Sequence, residues 1–196
     1  MIVEKFSERL KKWLKSENKK TLSSLDDTFE EKSFAVAFLL LMALAALPIP
    51  TGGITHVLEL INMLVAFELI IGRHTLWLPK RWKKMRIGKV MEAKALPKFI
   101  GFISWLERFS RPRFGSLFKN AYFPRLLGIV VLVFTISAFI GPPFSGLDTL
   151  PAMGVVLISL SVLLEDVVIF GLGLIAGGIG ITLQISLGSF VLHIFN

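Results

Sequence analysis

The sequence predicts an all-α integral membrane protein. It should hold about six short or broken transmembrane or re-entrant helices in two pseudo-repeated halves, with amphipathic interfacial helices beside them. Three observations predict this. Two long stretches, 34–72 and 126–196, contain neither Lys nor Arg. Hydrophobic residues make up 54% of the 196-residue chain, above the roughly 45–50% of soluble domains. The apolar stretches are interrupted at Pro/Gly clusters, Leu47-Pro48-Ile49-Pro50-Thr51-Gly52-Gly53 and Ile140-Gly141-Pro142-Pro143-Phe144-Ser145-Gly146.

Charge divides the chain into four regions. Residues 1–33 hold eight cations and seven acids and read as a cytoplasmic amphipathic region. Residues 34–72 form a first membrane repeat. Residues 73–125 hold fourteen cations and two acids, Glu92 and Glu107, and read as a basic cytoplasmic or interfacial region. Residues 126–196 form a second membrane repeat with Gly-rich C-terminal helices. Basic parts confined to one aqueous compartment are the mark of membrane topology. That topology explains the pI near 9.9, so no nucleic-acid partner is expected. Both termini and 73–125 are expected on the cytoplasmic side. Cysteine is absent, which excludes a thiol nucleophile and a Cys metal site.

Each element has its own justification. No cleavable signal peptide is expected, because charges run through the first 33 residues. Ile2, Phe6, Leu10 and Trp13–Leu14 recur at helical spacing among lysines, giving an amphipathic surface helix over 2–16. Leu22, Leu25 and Phe29 propose a second short helix. The run Phe34–Leu47 has fourteen residues, about 21 Å of helix against a hydrocarbon core of roughly 30 Å. It is expected as a re-entrant or oblique half-helix. A second segment covers 54–71 and closes at Gly72-Arg73. In the basic region, Leu96, Phe99, Ile100, Ile103, Leu106 and Phe109 form one stripe flanked by Lys98, Arg108, Arg111 and Arg113. This pattern fits a helix lying against anionic headgroups, with Trp77, Trp82 and Trp105 as an interfacial belt. Segments at 126–140 and 150–164 follow, the latter with Asp148 as N-cap and Pro151 early in the helix. The last run, 167–195, is about 43 Å as one helix, so a break is expected at Gly177-Gly178-Ile179-Gly180.

The two membrane stretches share a grammar: a short apolar helix, a Pro/Gly loop, then a helix opening near Thr and ending near a carboxylate. Pro50 falls on Pro143 and Gly53 on Gly146. Broken segments at matching places in two halves are the best sequence pointer to a transport site. The expected solute-binding set is therefore Pro48, Pro50, Gly53, Thr55, His56, Glu59, Glu68, Pro142, Pro143, Gly146, Asp148, Thr149 and Glu165. Glu68 and Glu165 are the expected coupling carboxylates, since ionisable groups inside a membrane are costly and face a cavity or a partner. A negatively charged cavity favours a small cationic solute or a proton. His56 and Glu59 stand at i, i+3, as an interfacial pair or a proton relay. Gly171-Leu172-Gly173-Leu174-Ile175-Ala176 mimics a dinucleotide fingerprint, but no βαβ context or later acid accompanies it. Helix packing through Gly173 and Gly177 accounts for it.

The order Leu47-Pro48-Ile49-Pro50 with Gly53 and Thr55, Gly72-Arg73, Trp77-Leu78-Pro79, Trp105-Leu106-Glu107-Arg108, Arg111-Pro112, Pro124-Arg125-Leu126-Leu127-Gly128, a second Pro-Pro loop, Thr149-Leu150-Pro151 and Leu164-Glu165-Asp166 resembles the ExoD family. The resemblance spans roughly 22–181. It implies a multi-pass bacterial inner-membrane protein associated with exopolysaccharide synthesis. The chain departs from that family's pattern at Glu68, where members often carry Gln, and at Ile140-Gly141-Pro142-Pro143, where a fuller Leu-Pro-x-Pro is usual.

No hydrolase triad or sugar-site carboxylate pair appears. No enzyme activity, cofactor or metal is therefore expected. Two functions remain. One is a small transporter or channel-like protein with its site at the two Pro/Gly loops. The other is a non-catalytic membrane scaffold in an exopolysaccharide assembly, using a basic face with Arg108, Arg111 and Arg113. The expected partners are anionic lipid headgroups and a second copy, a homodimer burying the Gly-rich faces.

Overall fold

The computed structural model describes residues 6–15, 32–47, 53–73, 96–110, 118, 120, 122–141 and 147–195. Seven helices occur among them: α1 (Phe6–Lys15), α2 (Ser33–Met42), α3 (Ile54–Ile71), α4 (Leu96–Phe109), α5 (Phe123–Ile140), α6 (Thr149–Leu164) and α7 (Val167–Phe195). The expected short helix over 22–29, Trp77 and Trp82 lie outside the described residues.

Hydrophobic pattern sorts the bundle into an interior and a shell. Every residue of α2 is buried. An all-round apolar sequence with no polar face fits a protein interior or lipid, and α2 takes the interior. The helix stops after Met42, and turns carry the chain to Leu47. Helix α6 packs against α2 and is buried on most sides. Helices α3, α5 and α7 each bury one face and leave another apolar face open. On α3 the open face carries Ile54, Val57, Leu60, Leu64, Phe67 and Ile71; on α5 it carries Leu126, Ile129, Val133, Ile136 and Ile140. These three helices are long and apolar enough to cross a membrane. Open apolar faces of this extent suit lipid, where each helix satisfies its own backbone.

The first and third apolar segments, paired in the sequence reading, take different places. Helix α2 is interior, whereas α5 packs along α3 and keeps an open face.

The expected break in the last segment is absent: α7 is one helix of 29 residues. Its glycines serve close packing instead. A Cβ at Gly154 of α6 would lie 2.8 Å from Gly177 Cα, and one at Gly177 would overlap the Phe134 ring of α5. A Cβ at Gly173 would lie 2.9 Å from Ile158 N. Unwinding there would strand backbone groups in apolar surroundings, so the helix continues despite its glycines. Gln184, in the C-terminal half of α7, meets Ser137 and Leu147 at the end of the bundle opposite Val167. Gly173 and Gly177 pack within the chain, whereas a Cβ at Gly171 or Gly178 would meet nothing within 4 Å.

Helices α1 and α4 pack on each other. Leu10 and Ile103 are both fully buried, with Trp13 and Ile100 beside them. Ser7 donates from its N (2.8 Å) and its Oγ (2.6 Å) to the two carboxylate oxygens of Glu107. The helix over Leu96–Phe109 was expected to lie in the headgroup layer against anionic lipid. Within it Ile100 and Ile103 are covered by protein, while Trp105 remains exposed.

Candidate functional site

The bundle has two chemically different ends. One holds Lys32, the close of α3, the start of α5 and the junction of α6 and α7. Here Lys32 Nζ donates to Glu165 Oε1 (2.8 Å) and Leu163 O (3.2 Å). Glu165 closes α6 in the left-handed region at φ 55°. Asp166 is buried and caps α7, its Oδ1 accepting from Val168 N at 3.0 Å. Glu68 lies in the last turn of α3, buried, and its carbonyl accepts from Arg73 N. Glu68 and Glu165 thus both sit at this end, as their positions before helix stops required. They stand apart from the loops with which they were grouped. Glu68 is fourteen residues beyond Ile54, about 21 Å along the helix.

The other end collects the polar side chains of α3, α5 and α7. Helix α3 starts after Gly53, whose φ of 90° is a backbone conformation that glycine alone adopts freely. That start sets His56, Glu59 and Asn62 at i, i+3 and i+6, on one face. His56 Nδ1 lies 2.8 Å from Glu59 Oε2. The His56 side chain is 30% exposed and the Glu59 side chain 0%, so the imidazole is the outer member of the pair. His56 also meets the Phe139 ring edge-on at 5.3 Å. One turn deeper, Asn62 Nδ2 donates to Thr135 Oγ1 (2.8 Å), which donates to Val131 O (2.7 Å). Ser137 of α5 donates to Gln184 Oε1 of α7, and Gln184 Nε2 donates to Leu147 O at 3.0 Å. Asp148 follows Leu147 and lies within electrostatic range of Glu59.

Of the expected binding residues, the structure brings together His56, Glu59 and Asp148 at this end, with Gly53, Thr55 and Thr149 in the flanking helix starts. Thr55 is buried. Asp148 precedes α6 as expected but makes no side-chain capping hydrogen bond. Pro48, Pro50, Pro142, Pro143 and Gly146 lie outside the described residues, as do Arg111 and Arg113. Arg108 is exposed on α4. Asn62, Thr135, Ser137 and Gln184 were missed as site residues. Their signal was present, since amides and hydroxyls in apolar runs need partners on a neighbouring helix.

The site offers carboxylate, imidazole, amide and hydroxyl groups in a bundle of apolar helices. Such a set exchanges protons and coordinates hard cations. No group of three His, Cys, Asp or Glu residues able to hold a metal occurs among the described residues.

The family model described as exopolysaccharide synthesis, ExoD, matches residues 6–186. The uncharacterized protein slr1875 of Synechocystis sp. is 33% identical over 147 residues, 74% of this chain and 68% of that protein. Protein ExoD of Rhizobium meliloti is 32% identical over 151 residues, 72% of this chain and 58% of that protein. The chain therefore spans little more than half of the Rhizobium relative. No solved structure matches. With the match running from α1 into α7, the chain belongs to the exopolysaccharide synthesis ExoD family.

Proposed function

We propose that this chain is a small, multi-pass inner-membrane transporter serving exopolysaccharide synthesis, and that it moves a small cationic solute in a proton-coupled cycle. The observation that carries the reading is Glu59. Its carboxylate is wholly buried, five residues into a helix long enough to span a membrane, and its only described hydrogen-bond partner is a part-exposed imidazole. A carboxylate in such a place is retained at a cost of several kcal/mol unless a cation or a proton neutralises it. Its coupling group is Glu59, with His56 as the proton's way in and Asp148 adding negative charge nearby. Glu68 and Glu165 hold the opposite end of the bundle. The chain performs no covalent chemistry in this reading and works as a homodimer among anionic lipids.

The test is reconstitution into proteoliposomes with a pH-sensitive dye inside. An outward gradient of a small cation should drive proton movement in wild type and not in Glu59→Gln. Proton movement equal in the two would sink the reading.

A second reading is favoured by the α1–α4 pair. Two amphipathic helices joined by Ser7 and Glu107, with Lys11, Lys12, Lys98 and Arg108 exposed around them, form a cationic platform suited to an exopolysaccharide assembly partner. It requires co-purification with synthesis proteins that survives Glu59→Gln and fails when Arg108, Arg111 and Arg113 lose their charge.

A further inference from the structure

Helix α4 has two opposite faces of different chemistry. Ile100 and Ile103 are buried, and Glu107, on the same face, accepts both hydrogen bonds from Ser7 of α1. Lys98, Gly101, Trp105 and Arg108 are exposed. Their i, i+3, i+7 and i+10 spacing lines them up on the far side of the helix, about 15 Å from end to end. The one acid of α4 is thus turned toward protein, and the outer stripe keeps its cations. Helix α1 is sorted in the same way. Leu10 and Trp13 are buried, while Lys11, Lys12 and Lys15 are exposed beside one acid, Glu8.

Chain order fixes where this pair is tethered. Helix α1 precedes α2, and α4 lies between α3 and α5. The start of α2, the close of α3 and the start of α5 all lie at the Lys32 end of the bundle. Arg73 and Arg125 stand there too, and a Cβ at Gly72 would lie 3.4 Å from Arg125 Nη2. Tyr122, beside them at the start of α5, is 74% exposed. Aromatic and cationic residues at the end of apolar helices suit the headgroup level.

We infer that the outer face of the α1–α4 pair docks on the anionic headgroups of the adjoining leaflet, with Trp105 at headgroup depth and Lys98 and Arg108 on phosphates to either side. The mode of attachment differs from that of an inserted amphipathic helix. The apolar residues that would enter the bilayer are spent on packing α1 to α4, and among the described residues of the two helices Trp105 is the exposed large apolar side chain. Charge therefore supplies most of the attraction. The site is open as well as charged. Trp105 stacks on Phe102 at 6.1 Å and leans over the turn of Gly101, where a Cβ would meet nothing within 4 Å.

Lipid is favoured over a soluble polyanion by proximity. Three helices of this chain suit a membrane, so they hold headgroups beside the stripe at high effective concentration, whereas a polymer must be captured from solution. The inference does not depend on the transport reading. It gives to lipid the face that the assembly reading gave to a protein.

The experiment uses the full chain, which has no cysteine of its own. Gly101→Cys puts a unique thiol in the open space for a nitroxide label. The labelled protein is placed in nanodiscs of phosphatidylcholine, alone or mixed with phosphatidylglycerol. Collision of the label with oxygen, which concentrates in lipid, is compared with collision with a water-soluble nickel chelate. Phosphatidylglycerol should raise the first and lower the second, and roughly 1 M salt should reverse both. Removing two cations by Lys98→Gln with Arg108→Gln should lower the docked-to-free ratio by roughly thirtyfold, about fivefold for each. A label equally open to the chelate in both discs would overturn the inference, as would a phosphatidylglycerol response that survives the double substitution. Shielding by soluble polygalacturonate that phosphatidylglycerol does not reproduce would also overturn it and assign the face to an acidic polymer. None of these outcomes involves Glu59, so the transport reading stands or falls separately.

Discussion

Lys32 Nζ stands 2.8 Å from Glu165 Oε1 and 3.2 Å from Leu163 O, joining the start of α2 to the close of α6. Both side chains are about two-fifths exposed, 40% and 39%, so the pair contributes at most about 1 kcal/mol. Against it stands the left-handed backbone at Glu165, which costs a non-glycine residue roughly 1–2 kcal/mol. Glu165→Gly should therefore unfold within about 1 kcal/mol of wild type, while Glu165→Val should be clearly less stable. Thermal or denaturant unfolding in detergent checks the order. A large loss in Glu165→Gly would mean that this carboxylate does more than close a helix.

The α5–α6–α7 contact gives a sharper contrast between neighbouring glycines. A Cβ at Gly177 would overlap Phe134, whereas one at Gly178 meets nothing within 4 Å. Gly177→Ala should cost about 1–3 kcal/mol through overpacking. Gly178→Ala should leave stability unchanged or raise it by up to about 1 kcal/mol through helix propensity. Unfolding of the two single variants under identical conditions decides it.

The break expected at those glycines shows where the sequence stopped being legible. Glycine both weakens a helix and lets another approach it, and composition alone does not say which role prevails. Membrane character was legible in the cation-free stretches, and the ends of α3 and α5 were legible in Gly72 and Gly141. The site was legible in part. His56 and Glu59 were identified as a pair, but weight went to Glu68 and Glu165 because they match across the proposed repeat. The partners that Asn62 and Gln184 find on other helices are products of packing between segments far apart in the chain.

Ser7 and Glu107 pin α1 to α4 through two hydrogen bonds to one carboxylate, at a nearly buried serine. Ser7→Ala keeps the backbone donor and loses the hydroxyl, at about 1.5–3 kcal/mol for a bond to a charged acceptor. The expected result is faster limited proteolysis between α1 and the bundle with unchanged thermal unfolding of the apolar helices. Unfolding of the whole protein at lower temperature would instead show that the pair is integral to the core.

Thr135 ties Asn62 to the α5 backbone. Thr135→Val keeps shape and leaves the buried Asn62 amide without its acceptor, at a cost of about 1–2 kcal/mol. The same variant should weaken cation-driven proton movement, because the freed amide can turn its NH2 toward Glu59. Full activity with lowered stability would separate Asn62 from the transport site.

The most direct test is proton movement in proteoliposomes carrying wild type, Glu59→Gln or Glu68→Gln, each driven by the same cation gradient. The expected result is movement in wild type and in Glu68→Gln, and none above empty liposomes in Glu59→Gln. Movement that persists in Glu59→Gln, or is absent from all three proteins, would contradict a transport site built on Glu59.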